Sequence, residues 1–99
     1  MTHYYKLEEH TPVAVDFDEW VTWRTFANTQ VILSVVYDSV SISTVFLGIN
    51  LGSSERPMLF ESLVTGGSLN GKKRLYTDWD DAVTGHYNLV IESIAKTPV

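Results

Sequence analysis

Cysteine is absent from the chain, which removes disulfides, thiolate metal ligation and thiol nucleophiles together. Proline is scarce, at three residues, and no repeat, low-complexity tract or linker interrupts the sequence. Long apolar runs are missing as well. The longest, "VILSVVY" at residues 31–37, falls far short of the roughly 20 residues a spanning helix needs, so no membrane association is expected. Positive charge is in the minority, with seven Lys and Arg against twelve Asp and Glu for a net −5. Sequence-independent nucleic-acid binding takes its affinity from phosphate neutralisation, so direct nucleic-acid binding is not expected either. The opening "MTHYYKLEEH" has no basic stretch leading into an apolar one, which points to no export signal and a cytoplasmic location. No G-x-S-x-G, Walker loop or G-x-G-x-x-G occurs; the glycines of "GINLGSS" and "TGGSLNG" read as turn formers, and no cofactor is expected.

What is present is enough apolar residue, 44% of 99 positions, for one modest core, and residues 1–99 read as a single α+β domain. "YYKLEEHTPVAV" suggests a hairpin with its turn at Glu9 to Pro12. "VDFDEWVTWRTFAN" changes to a helical period: Asp16 and Glu19 have capping-box spacing, Val15 and Trp20 sit as a staple, and Asn28 suits a stop. "QVILSVVYD" and "VSISTVFLGI" read as an antiparallel pair joined near Asp38–Ser39, with "MLFESLVT" a third long strand. Asn70-Gly71 then predicts a hairpin into the short edge strand "KKRLY", whose basic residues 72–74 decorate an exposed rim. Finally "TDWDDAVTGHYNLVIESI" predicts a helix capped by Thr77, with Asp78, Asp80 and Asp81 at its positive start. The architecture expected is an antiparallel sheet of five to six strands, with this C-terminal helix and a short N-terminal Trp-bearing helix packed on it.

Two residues disturb the pattern. At 100° per residue Trp79, Val83, His86, Val90 and Ile94 share one stripe, so His86 points into the helix–sheet contact, while Gly85 falls toward solvent. Such a histidine packs with one ring N–H donated, serves as a general base or metal ligand, or switches in mild acid. His3 and His10 lie in the N-terminal hairpin, and no H-x-x-x-H spacing exists, so no metal site is expected. Glu61 interrupts the apolar "MLFESLV" and must be solvated or paired; a Glu61–His86 contact would satisfy both residues. The strands also carry apolar residues on both faces, with Ile32, Ser34 and Val36 alternating against Val31, Leu33, Val35 and Tyr37. One helix covers one face. The other falls to the Trp-bearing helix, to the N-terminal hairpin, or to another chain, a homodimer included.

Taken in order, "YYKLEEHTPVAVDFDEWVTW", "VSISTVFLGINLG", "PMLFESLVTGG" and "RLYTDWDDAVTGHYNLV" resemble a family of small proteins encoded in bacteriophage and prophage genomes. That pattern joins a Tyr-rich start, a Trp-bearing helix, "STVFLG", a Pro before "LFET" and an "A-x-x-GH" segment. Matching positions here are Trp20, Thr44, Glu61, Gly85 and His86. The family has no assigned biochemical activity. Its usual Asp-His after "FLG" and one apolar residue is replaced here by Asn50-Leu51 after Ile49, so any chemistry through that pair is missing from this chain.

The resemblance, the small size and the missing catalytic motifs imply a non-enzymatic protein that binds a host or phage protein, in the host cytoplasm if phage-encoded. Inhibition of a bacterial defence complex, in the manner of an anti-CRISPR protein, is a special form of that reading. A His/Glu-dependent enzyme and a virion accessory protein stand as alternatives. Glu61 and His86 are the structural or functional pair, and Asp78, Asp80, Asp81, Glu55 and Glu92 the candidate partner contacts; no catalytic residue is assigned.

Overall fold

A computed structural model describes residues 3–37 and 39–96 of the chain. The order is β1 (Tyr4–Glu8), β2 (Thr11–Val15), α1 (Phe17–Phe26), β3 (Gln30–Val36), β4 (Val40–Phe46), β5 (Phe60–Thr65), β6 (Lys73–Tyr76) and α2 (Trp79–Lys96). The fold is α+β, with its strands in two sheets: a β1–β2 hairpin and an antiparallel four-stranded sheet ordered β3-β4-β5-β6.

Local chemistry sets most boundaries. Glu9, at a left-handed φ of 55°, closes the hairpin that pairs Leu7 with Pro12. The Asp16 carboxylate accepts the Glu19 backbone N–H at 2.8 Å, capping α1 as the spacing predicts. The β3–β4 connection turns at Tyr37 (φ 56°); Asp38, expected at this turn, lies outside the described residues. In the β5–β6 turn the Asn70 side chain accepts the Gly66 N–H at 2.7 Å, and Gly71 takes a φ of 88° that favours glycine. α2 starts one residue later than the sequence suggests. Asp78 is the cap, accepting the Asp81 N–H at 2.8 Å, because the Thr77 hydroxyl is directed to the Met58 sulfur instead.

α2 covers one face of the four-stranded sheet. Val36, Val40, Ile42, Val64 and Leu89 form the core at one end; Phe46, Leu59, Phe60 and Ala82 form it at the other. A bulge between Gln30 and Ile32 adds a residue to β3, so Val31 packs toward the Phe46 cluster instead of sharing a face with Leu33. The hairpin and α1 dock at the Phe46 end. Trp23 meets Phe46 edge-on at 5.7 Å, and the Tyr5 N–H donates to the Gly48 carbonyl at 2.9 Å. This end-on docking draws the molecule out to 48 × 29 × 20 Å and leaves the second sheet face without a described covering element.

The helix does not bury the stripe that its periodicity suggests. Its buried residues are Ala82, Gly85, His86, Leu89 and Ser93, a face turned by about 80° from the Trp79–Ile94 stripe. Contacts with β6 and with Lys72 just before it turn it. Glu92 receives Lys72 at 2.6 Å and Arg74 at 2.9 Å, so most of the basic cluster clamps the helix instead of decorating a rim. The Tyr76 ring lies against Gly85, which is therefore buried and not on the solvent side. A methyl group at position 85 would run into that ring. Helix propensity alone favours Gly85→Ala by about 1 kcal/mol, whereas overpacking costs about 1–3 kcal/mol. We therefore expect Gly85→Ala to lower the melting temperature. A rise would show that Tyr76 gives way freely and that this contact does not orient the helix.

Candidate functional site

His86 lies on the buried face of α2 with none of its surface exposed. Its Nε2 is 2.8 Å from the Ser34 hydroxyl on β3, and its Nδ1 is 2.7 Å from the Thr44 hydroxyl on β4. Thr44 in turn hydrogen-bonds Ser62 on β5, which the register places directly opposite it. Three strands thus each supply one small hydroxyl residue to a helix-facing surface otherwise made of Ile, Val and Phe. The short side chains leave a notch that the imidazole fills. A neutral imidazole has one donor and one acceptor nitrogen, and a hydroxyl can play either part, so both nitrogens are satisfied whichever carries the proton.

Burial pushes the His86 pKa below its ordinary 6.5. Among the described residues no charged group is in contact with the ring to oppose this; its close aromatic neighbour is Tyr87, edge-on at 5.3 Å. The imidazole is neutral at pH 7. A serine beside a histidine begins a nucleophile–base arrangement, but the group on the far nitrogen is a hydroxyl, not a carboxylate, and the ring is sealed from solvent. The arrangement seats the helix on the sheet.

Glu61 is not part of it. Strand alternation puts Ser62 on the helix side and Glu61 on the other, where it pairs across to Val45 and Leu75. The expected Glu61–His86 contact is not formed, because a sheet separates the two. Glu61 is half-buried in a surface with Leu33, Val35, Val45, Leu63 and Leu75, interspersed with Ser41, Ser43 and Thr65.

The other acidic candidates do not form one surface. Asp78 caps α2, with Asp80 and Asp81 in the first turn. Glu92 lies eleven residues further along, roughly 16 Å away. Lys72, with Arg74 beside it, holds the Glu92 carboxyl below its usual range. Glu55 is exposed in the β4–β5 loop. A cleft of about 530 Å³ opens where the β1–β2 turn meets the start of α2, walled by His10 stacked on Trp79 at 3.8 Å. Neither Glu61 nor His86 lines it. Among the described residues, no three His, Asp or Glu side chains gather as a metal ion would require.

Comparison with protein-family models, curated proteins and solved structures finds no match. Ser34 and Ser62 escape the sequence reading, although a signal exists: "ILSVV", "SISTV" and "FESLV" each hold a small hydroxyl residue within an apolar run.

The lowered pKa has a definite consequence. The unfolded chain binds a proton at His86 below about pH 6.5 before the folded chain does, so the stabilisation is complete above that pH and declines as pH falls toward the folded value. Melts of the wild type between about pH 7.5 and pH 5.5 should move down in temperature, with a shallower slope in His86→Gln. Equal slopes would rule out a buried neutral imidazole as the source.

Proposed function

We propose that the protein is a small non-enzymatic binding module that engages a protein partner through the open face of its four-stranded sheet. One observation carries this reading. Leu33 and Val35 are 59% and 68% exposed on a face that no described element covers, and Leu75 on the opposite edge is 39% exposed. From strand spacing and rise, the face measures on the order of 300 Å², the size at which an apolar surface patch is often functional. About half of that face is apolar, and burying that half is worth roughly 4 kcal/mol before the costs of association are subtracted.

The composition of the face narrows the partner. Hydroxyls alternate with the apolar side chains, and the two charged residues, Glu61 and Lys73, cancel. A largely uncharged apolar protein surface suits this face better than the basic surface that a net −5 would suggest. The resemblance to phage and prophage proteins favours a host or phage protein as the partner, and obstruction of a bacterial defence complex is one form the activity takes under this reading. In the described residues no helix is long and apolar enough to cross a membrane.

The test compares wild type with the double variant Leu33→Lys, Leu75→Lys in affinity capture from bacterial lysates, with and without phage infection, followed by titration of any recovered protein. Both substitutions are at exposed positions, so the melting temperature should hold while binding weakens by at least about tenfold. A partner held equally well by both proteins would remove the open face as the contact surface.

A further inference from the structure

We infer that the depression between the β1–β2 turn and the start of α2 binds an uncharged planar nitrogen heterocycle of the nucleobase type, as free base or nucleoside, whose ring takes the place of His10 on Trp79. Two clefts meet there, of about 530 Å³ and about 320 Å³, and His10, Thr11 and Trp79 line both. The larger is within the roughly 300–1,000 Å³ of small-molecule sites. At their junction His10 lies flat on Trp79, with ring centroids 3.8 Å apart and planes within 7° of parallel. An imidazole is itself a planar nitrogen heterocycle, so this contact shows the kind of ring that Trp79 accepts.

Trp79 is the fixed half of the stack and His10 the movable half. Trp79 packs nearly perpendicular to the buried Phe60, ring centroids 6.2 Å apart, at the start of an 18-residue helix. His10 is exposed in the turn Glu9-His10. Among the described residues, no hydrogen bond or ion pair ties that turn to α2. A base of larger ring area would therefore displace the imidazole and join the two clefts over one aromatic floor.

The rest of the lining decides the ligand's class. Neither cleft has a described Lys or Arg along it, and Glu9 borders the larger one, so a phosphate would find no cation to hold it. Asp78 and Asp80 border the smaller cleft, but Asp78 caps α2 and Asp80 complements its positive start, so their charge is spent on the helix and does not call for a cation. In the larger cleft only Leu7 and Trp79 supply apolar side chains, too few for a hydrocarbon ligand. What it offers is a mixture of donors and acceptors. Asn28 Oδ1 accepts the Gln30 backbone N–H at 3.0 Å, which leaves the Asn28 amide N–H groups to donate. Gln30 Nε2 is committed to Ile32, Ser43 and Thr44, which leaves Oε1 to accept beside the Glu9 carboxylate. A nucleobase edge presents donors and acceptors side by side in the same way, and needs an aromatic plane but no opposing charge. Neither Leu33 nor Leu75 lines the depression, so this binding and capture of a protein partner stand or fall separately.

Calorimetry and ligand-observed NMR with adenosine and cytidine test this, with ribose, adenosine 5′-monophosphate and N-acetylarginine amide as comparisons. Wild type should bind the nucleosides with a dissociation constant of about 0.1–1 mM, and the monophosphate at least about threefold more weakly. His10→Ala removes the competing imidazole and should tighten nucleoside binding by at least about threefold. Trp79→Leu should weaken it by at least about tenfold. Because Trp79 also packs on Phe60, Asn28→Ala, at an exposed position, is the second variant and should weaken binding by at least about threefold. Nucleosides that bind neither wild type nor His10→Ala at about 10 mM overturn the inference. So does binding that His10→Ala weakens or that a folded Trp79→Leu leaves unchanged. Ribose or the arginine derivative held as tightly as the nucleosides also overturns it, since the depression would then serve a sugar or a cation.

Discussion

A neutral imidazole held between two strands decides where α2 lies. His86 gains nothing over a leucine in apolar area, and an unpartnered ring in the core would be costly. Its presence makes sense only with Ser34 and Thr44 at its two nitrogens and Ser62 behind Thr44. These contacts are directional, whereas packing of Ile, Val and Leu is not. A helix held by apolar contact alone could rotate or slide by a residue at modest cost; one whose histidine must meet two hydroxyls on adjacent strands cannot. Glu92 fixes the same rotation from outside through Lys72 and Arg74, and Gly85 admits the Tyr76 ring.

That rotation has a consequence for the surface. Turning small residues (Ala82, Gly85 and Ser93) toward the sheet brings α2 close to it but carries Ile91 and Ile94 outward. The helix therefore satisfies its polar anchors at the expense of part of its apolar stripe. Meanwhile the hairpin and α1 are held at the end of the sheet by Trp23 against Phe46 and by the Tyr5 N–H donating to the Gly48 carbonyl, so they do not reach the open face. Two apolar surfaces on different sides of the molecule remain without a described cover. Both follow from one cause: the elements that could have covered them are committed elsewhere by specific contacts.

Much of this was legible from the chain. The Asp16–Glu19 cap, the Asn70-Gly71 turn, the strand alternation and the inward direction of His86 all depend on residues close in sequence, and local chemistry was enough to read them. What escaped were features joining distant strands. Thr77 looked a better cap than Asp78 until the end of β6 directed its hydroxyl to Met58. Val31 seemed to share a face with Leu33 until a bulge in the β3–β4 ladder moved it. Glu61 and His86 appeared to call for one another, yet the register sets Glu61 against Val45 and Leu75, on the side that α2 does not touch.

The sequence by itself determined the α+β class, the identities of most elements and the fact that one histidine would be buried, because hydrophobic period, capping and turn chemistry act over a few residues. Only the tertiary structure decided which way α2 is turned, what His86 bonds to and which apolar surfaces stay open. Those depend on how β3, β4 and β5 are aligned, and a shift of one residue in that register would exchange every side chain between the two faces of the sheet.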